Sequence, residues 1–186
     1  MILATRNAHK LREFERLLPG IHIDPLPDAA PTPEETGETY AENALIKARS
    51  AAAGTRQPAF ADDSGIEAEA LEWRPGVYTA RFAGPDATDT ENLNKLHAEA
   101  PAGSRLRYVC VIAYVTPAGE EHLFEGRCEG TLAPQPQGAG GFGYDPLFIP
   151  DARADGRTMA ELTDAEKDAI SHRGHAAREL LAWLTR

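Results

Sequence analysis

The sequence predicts an α/β fold, a mixed β-sheet flanked by helices, on three observations. Apolar runs and helix-period stretches alternate over residues 1–61. Two long strand-like segments flank a turn between residues 105 and 132. Capping residues and Gly/Pro stops fall where the helical periodicity begins and ends.

Met1 to Ala4 is a short apolar run and reads as a buried first strand. Leu11, Phe14, Leu17 and Leu18 share one helical face, so Ala8 to Leu18 is a helix, with Asn7 as N-cap and Pro19-Gly20 as stop. Ile21 to Leu26 forms a second strand. The segment from Pro27 to Gly37 is punctuated by Pro27, Pro31, Pro33 and Gly37 and reads as a loop. Thr39 to Ala53 carries the clearest helical signal. Thr39 and Glu42 have the spacing of a capping box, Ala41, Ala44, Leu45, Ala48 and Ala52 make a narrow apolar face, and Gly54 fits the C′ position. Ala59-Phe60-Ala61 is a short strand entering a turn at Asp62-Asp63-Ser64-Gly65, and Ile66 to Leu71 pairs or continues beyond it. Arg74 to Asp89 is rich in Gly, Pro and Asp and predicts irregular structure. Glu91 to Glu99 is a helix. Arg105 to Thr116 and Glu121 to Leu132 form a β-hairpin about Pro117-Ala-Gly119-Glu. A Gly-rich loop from Gln135 to Asp145, a strand at Leu147 to Ile149, a short helix within Leu162 to Ile170 and a last helix from His175 to Leu184 complete the chain, without internal repeats.

A length of 186 residues fits one domain, or one domain with two lobes, and suffices to bury a core; 42% hydrophobic and 26% charged residues are ordinary for a globular chain. No run approaches the ~20 apolar residues that span a bilayer. The N-terminus has neither a basic n-region nor a long apolar h-region, so we expect no signal peptide, no membrane association and a cytoplasmic setting. Cys110 and Cys128 lack metal-ligand spacing and read as reduced core residues. A net charge of −10 opposes nucleic-acid binding, which needs a basic footprint. It leaves room for a small polyphosphate held by a metal and a few well-placed cations.

Two helix starts carry positive charge where the macrodipole prefers Asp or Glu: Asn7-Ala-His-Lys10 and Ser171-His172-Arg173-Gly174. Each alone reads equally well as a solvated cation. The pair points to an anionic ligand that supplies the compensation, with the N–H groups at a helix start and Lys10 forming a phosphate cradle. Thr5, Arg6 and Asn7 follow the first strand, at the strand end where open α/β sheets bind ligands. Asp62 and Asp63 form one pair of neighbouring carboxylates and Glu34 and Glu35 another. Oxygen ligands without His or Cys suit Mg²⁺ or Mn²⁺, and a second carboxylate could orient water. On spacing alone Asp-Asp-Ser-Gly is an ordinary polar turn and Glu34-Glu35 a solvated loop. Asn43 and Lys47 lie four apart on the polar face of one helix. Gly138-Ala-Gly140-Gly-Phe-Gly143 satisfies the dinucleotide pattern, but Asp145-Pro146 and an apolar strand follow it, so no helix opens there and no P-loop is present. It reads as a mobile loop that brings backbone to a ligand, with Phe142 and Tyr144 offering ring faces.

Five blocks together resemble the inosine triphosphate pyrophosphatase family of non-canonical purine nucleoside triphosphate pyrophosphatases. They are Leu3-Ala-Thr-Arg-Asn-Ala-His-Lys10, Glu34-Glu-Thr-Gly-Glu-Thr-Tyr-Ala-Glu-Asn-Ala-Leu-Ile-Lys-Ala48, Ala61-Asp-Asp-Ser-Gly65, Gly140-Gly-Phe-Gly-Tyr-Asp-Pro146 and Lys167-Asp-Ala-Ile-Ser-His-Arg-Gly174. The match runs nearly end to end. Arg6 and His9 are bulkier than the small residues often found there in the family.

The resemblance implies one pyrophosphatase domain over 1–186, an elongated mixed sheet in two lobes around a central substrate cleft, and a homodimer. It implies hydrolysis of ITP, dITP or XTP to the monophosphate and pyrophosphate with Mg²⁺, for which Mn²⁺ can substitute, in cleansing the nucleotide pool. Thr5, Arg6, Asn7, Ala8, His9 and Lys10 resemble the triphosphate loop. Asp63 resembles the catalytic, metal-binding carboxylate, and Glu34 or Glu35 the second ligand. Asp62, Asn43 and Lys47 resemble supporting site residues and Ser64 a substrate contact. Phe142, Gly143, Tyr144 and Asp145 resemble the loop that frames base and sugar, and Lys167, His172 and Arg173 the base-side contacts. A donor such as Arg173 or His172 would favour the 6-oxo group of inosine over the amino group of adenosine. The competing readings are a broader nucleotide pyrophosphatase acting on modified pyrimidine or canonical nucleotides, and a catalytically silent nucleotide sensor.

Overall fold

A computed structural model describes all 186 residues. Its strands are β1 (Ile2–Leu3), β2 (Asp24–Pro25), β3 (Ala59–Ala68), β4 (Arg74–Pro75), β5 (Arg105–Val115), β6 (Glu121–Leu132) and β7 (Phe148–Pro150). They form one sheet in the order β2-β1-β3-β5-β6-β7, with β4 paired to β3. β1 runs parallel to β2 and β3, whereas β4 pairs antiparallel with β3 and β7 with β6, so the sheet is mixed as expected. The helices are α1 (Ala8–Leu17), α2 (Tyr40–Thr55), α3 (Asp89–Glu99), α4 (Asp164–Ile170) and α5 (His172–Leu184).

The chain divides into two compact units: residues 1–63, 110–126 and 173–186, and residues 64–109 and 127–172. In the first unit, Leu3, Phe14, Leu18, Phe60, Ile112 and Leu180 belong to one apolar cluster, while Ala44, Ala48, Ala59, Ala61 and Ala113 belong to another. β3 contributes Phe60 to the first cluster and Ala59 and Ala61 to the second, because successive strand residues face opposite ways. The second unit has its own core around Ile66, Leu96, Leu106, Leu132, Leu147 and Phe148. Cys110 and Cys128 are free and buried, one in each unit's core.

Local signals placed the helix starts. Asn7 caps α1 by accepting from the amides of His9 and Lys10, and Thr39 and Glu42 close a capping box on α2. We expect Thr39→Ala to cost about 1 kcal/mol of stability, read as a shift in the urea midpoint.

Five readings are corrected. Asp62-Asp63-Ser64-Gly65 is not a turn; it lies inside the ten-residue strand β3. The side chains of Asp62 and Asp63 find tertiary partners from the strand, which outweighs turn propensity. α2 runs through Gly54 to Thr55, and its left-handed C-cap is Arg56, with φ 56°. α5 begins at His172 rather than His175. The second strand shrinks from Ile21–Leu26 to Asp24–Pro25, and the irregular stretch 74–89 contains β4 and a short 3₁₀ segment, Gly76–Arg81.

Candidate active site

Because β3 alternates, Asp62 and Asp63 project to opposite sides of the strand and meet different hydrogen-bond partners, while Lys10 and Lys47 each act on both carboxylates. Asp62 is fully enclosed. Its Oδ2 accepts from Arg173 Nε at 3.2 Å and Nη2 at 3.0 Å and lies 3.0 Å from Lys10 Nζ. Its Oδ1 is buried with no hydrogen-bond partner. Burial pushes the Asp62 carboxyl up, but Lys10, Arg173 and Lys47 outweigh it and hold the group far below the usual carboxylate range. Arg173, only 2% exposed, also donates through Nη1 to Glu13 Oε2 at 2.5 Å.

Asp63 meets α2. Its Oδ2 accepts from Asn43 Nδ2 at 3.3 Å and its Oδ1 from Lys47 Nζ at 3.3 Å. Lys47 Nζ also lies 3.0 Å from Glu35 Oε1. Burial pulls the Lys47 ammonium down, yet Asp63, Asp62 and Glu35 together raise it, so it stays charged. Asp63 moves the other way: burial lifts its pKa, Lys47 and Lys10 lower it, and the balance is upward. The raised carboxyl is a better proton acceptor than an ordinary aspartate when ionised.

Glu35 and Asp63 therefore converge on one ammonium, whereas Glu34 is exposed. Two carboxylates of this kind suit Mg²⁺, which takes one or two from protein and completes its shell with water and substrate phosphates. Asn43 accepts from the Gly37 amide at 2.8 Å while donating to Asp63, and is 1% exposed. It links the acidic loop to Asp63 and offers a substrate little surface. A Cβ on Gly37 would stand 2.6 Å from Glu42 Cβ, so this close approach needs glycine.

The triphosphate-loop residues have local tasks as well. Asn7 N donates to Thr5 Oγ1, and Asn7 Oδ1 takes the amides of His9 and Lys10. Ala8 and His9 are exposed, and the His9 ring meets Arg12. The Arg6 guanidinium donates to the carbonyls of Leu26, Pro27, Asp28 and Ala30, clamping the loop that leads to Glu34 and Glu35.

In the second unit Asp145 is a buried hub. Its Oδ1 accepts from Tyr108 OH at 3.1 Å, and its Oδ2 from Lys167 Nζ at 2.8 Å and from the Phe142 amide at 3.0 Å. Lys167 Nζ stands 5.1 Å from the Phe142 ring centroid, and the His172 ring stacks on Tyr108 at 4.6 Å. The Gly143 amide donates to Asp89 Oδ2. The glycine loop is thus pinned by hydrogen bonds, and a Cβ on Gly141 would overlap the Asp145 carboxylate. Tyr144 is buried with its hydroxyl on Thr79 O, so Phe142, half-buried, is the more available ring. Ser64 is half-buried at the start of this unit. No helix follows the glycines; a 3₁₀ turn, Asp145–Leu147, does.

The compensation expected from an external anion is supplied from within, because Asp62 and Glu13 together balance Lys10 and Arg173. The Arg173 guanidinium, expected as a base-reading donor, donates to Asp62 and Glu13. Sequence reasoning missed Glu13, Tyr108 and Asp89. Glu13 lies three residues after Lys10, on the same helical face, which was the available signal; nothing local marked the other two.

A model of the Ham1 family matches residues 1–183. The dITP/XTP pyrophosphatase of Symbiobacterium thermophilum is 51% identical over 97% of this chain and 92% of its own length, and that of Cutibacterium acnes 46% over 97% and 94%. Among solved structures, a HAM1 protein from Coxiella burnetii superposes with TM-score 0.87 at 42% identity, covering 99% of this chain and 97% of that one.

Proposed function

The chain belongs to the Ham1 family, and from that premise we propose that it hydrolyses the non-canonical purine nucleoside triphosphates ITP, dITP and XTP to monophosphate and pyrophosphate. The observation that carries this reading is the first unit's arrangement of Asp63, Glu35 and Lys47 on one face of β3, with Lys10 on Asp62 at the other. Acidic groups to hold a cation and orient water stand near ammonium groups that neutralise phosphate. Such positioning and neutralisation account for most phosphoryl-transfer catalysis.

The Thr5–Lys10 segment holds the triphosphate, with Lys10 passing from Asp62 to the phosphates. Asp63 and Glu35 hold Mg²⁺, or Mn²⁺ in its place, and a bound ion supplies charge neutralisation at the phosphates. Asp63 orients the attacking water and takes its proton, while Lys47 keeps the two carboxylates together. Asn43 fixes the orientation of Asp63. Ser64 contacts substrate, and Phe142, Gly143, Tyr144, Asp145, Lys167 and His172 frame the base and sugar. A donor among the last two meets the 6-oxo acceptor of inosine and would be left unpaired by adenine. No helix is long and apolar enough to cross a membrane. A cytoplasmic homodimer that does not bind nucleic acid and that cleanses the nucleotide pool completes the proposal.

The test is pyrophosphate release from ITP, XTP, dITP, GTP and ATP with Mg²⁺. ITP, dITP and XTP are expected to exceed ATP by about a hundredfold or more in kcat/KM, and a chelator is expected to abolish release. Comparable rates on canonical or modified pyrimidine nucleotides would favour a broader pyrophosphatase. Nucleotide binding without release would mean a sensor.

A further inference from the structure

We propose that Arg173, steadied by Glu13, is a positioning residue that keeps Asp62 compensated when Lys10 leaves it for phosphate. The proposal rests on the reading of Lys10 as a phosphate ligand given above. Four charges alternate in the first unit: Lys10, Asp62, Arg173 and Glu13. Lys10 and Glu13 both come from α1, three residues apart, while Asp62 comes from β3 and Arg173 from α5. The row is neutral in sum. Its members differ in access: the side chains of Asp62 and Arg173 are 0% and 2% exposed, that of Glu13 10%, and that of Lys10 15%.

A buried carboxylate with a single cation would lock it, because withdrawing the cation leaves an uncompensated charge in a low-dielectric interior, a loss that is strongly destabilising. Asp62 Oδ2 does not depend on Lys10 alone, since two Arg173 donors reach the same oxygen at 3.0 and 3.2 Å. A lysine at position 173 would be a poor substitute. The planar guanidinium serves Asp62 through Nε and Nη2 and Glu13 through Nη1 at once, and a point-like ammonium cannot span both. Glu13 in turn balances Arg173, so the pair adds no net charge that would hold the leaving pyrophosphate. The cation at the second helix start thus acts on phosphate binding through Asp62 rather than by touching a base.

The experiment measures calorimetric affinity for inorganic tripolyphosphate, with Mg²⁺, in the full chain. Replacing the pair together, Glu13→Met with Arg173→Met, exchanges a buried ion pair for apolar side chains, a change that folds often tolerate. Affinity is expected to fall about tenfold, since Lys10 is then the one cation in direct contact with Asp62, and adding Asp62→Asn is expected to restore most of it. Arg173→Lys alone, the milder change if the double variant does not fold, is expected to weaken binding about threefold. Unchanged tripolyphosphate affinity in whichever of these variants folds would overturn the inference, and a lost preference for ITP over ATP beside it would make Arg173 a base contact. Equal loss with and without Asp62→Asn would also overturn it. Failure of Lys10→Met to weaken tripolyphosphate binding would remove the phosphate role of Lys10 itself, and this inference with it.

Discussion

Asp63→Asn is expected to lower turnover of ITP by about 10²- to 10⁴-fold, the range supplied by a positioned general base, while the protein remains folded. The change is isosteric. Its amide oxygen can still accept from Asn43 Nδ2, and Lys47, which loses the Asp63 oxygen, keeps Glu35, so each neighbour on α2 retains a partner. What disappears is the proton acceptor and one of the two carboxylates that converge on Lys47. The loss should therefore appear in kcat, and in the Mg²⁺ concentration needed for half-maximal rate, far more than in the unfolding midpoint. Near wild-type turnover in a folded variant would discard Asp63 as the catalytic carboxylate.

Asp62→Ala should behave in the opposite way, with stability as its main casualty. The substitution strands the Arg173 guanidinium, 2% exposed, with Glu13 and without its main counter-ion. Breaking a buried pair from one side costs about 3–5 kcal/mol, a large share of a domain's stability. Urea denaturation measures it, and a loss under about 1 kcal/mol would mean that the remaining charges relax or admit water.

The pH dependence carries the same signature. Asp62's folded pKa lies below its reference value of 3.8, so its stabilisation is fully present above that value and fades as pH falls below it. The wild-type protein should lose stability on acidification below about pH 4, and Asp62→Ala should lack that part of the slope. A parallel acid profile in the two proteins would contradict the assignment.

Much of the fold was legible because its signals are local. The face formed by Leu11, Phe14 and Leu17, the Asn7 cap, the Thr39–Glu42 box and the hairpin between Arg105 and Leu132 are set by residues a few positions apart. Helix ends and short strands were less legible. Gly54 carries the composition of a stop, yet α2 passes through it, and Asp62-Asp63-Ser64-Gly65 carries the composition of a turn, yet it lies within a strand.

By itself the sequence determined the α/β class, most helix starts and, through the order of its motif blocks, the family. Only the tertiary structure decided which side chain answers which. It gave Glu35 rather than Glu34 to Lys47, turned Asp62 toward Arg173 and Asp63 toward α2, enclosed Asp145 beneath Tyr108 and Lys167, and set Arg6 on the carbonyls of Leu26, Pro27, Asp28 and Ala30. The reason is physical. Periodicity and capping depend on neighbours along the chain, whereas a carboxylate's protonation and role depend on charges brought to within about 4 Å of it, and on the water removed around it, by elements far apart in sequence.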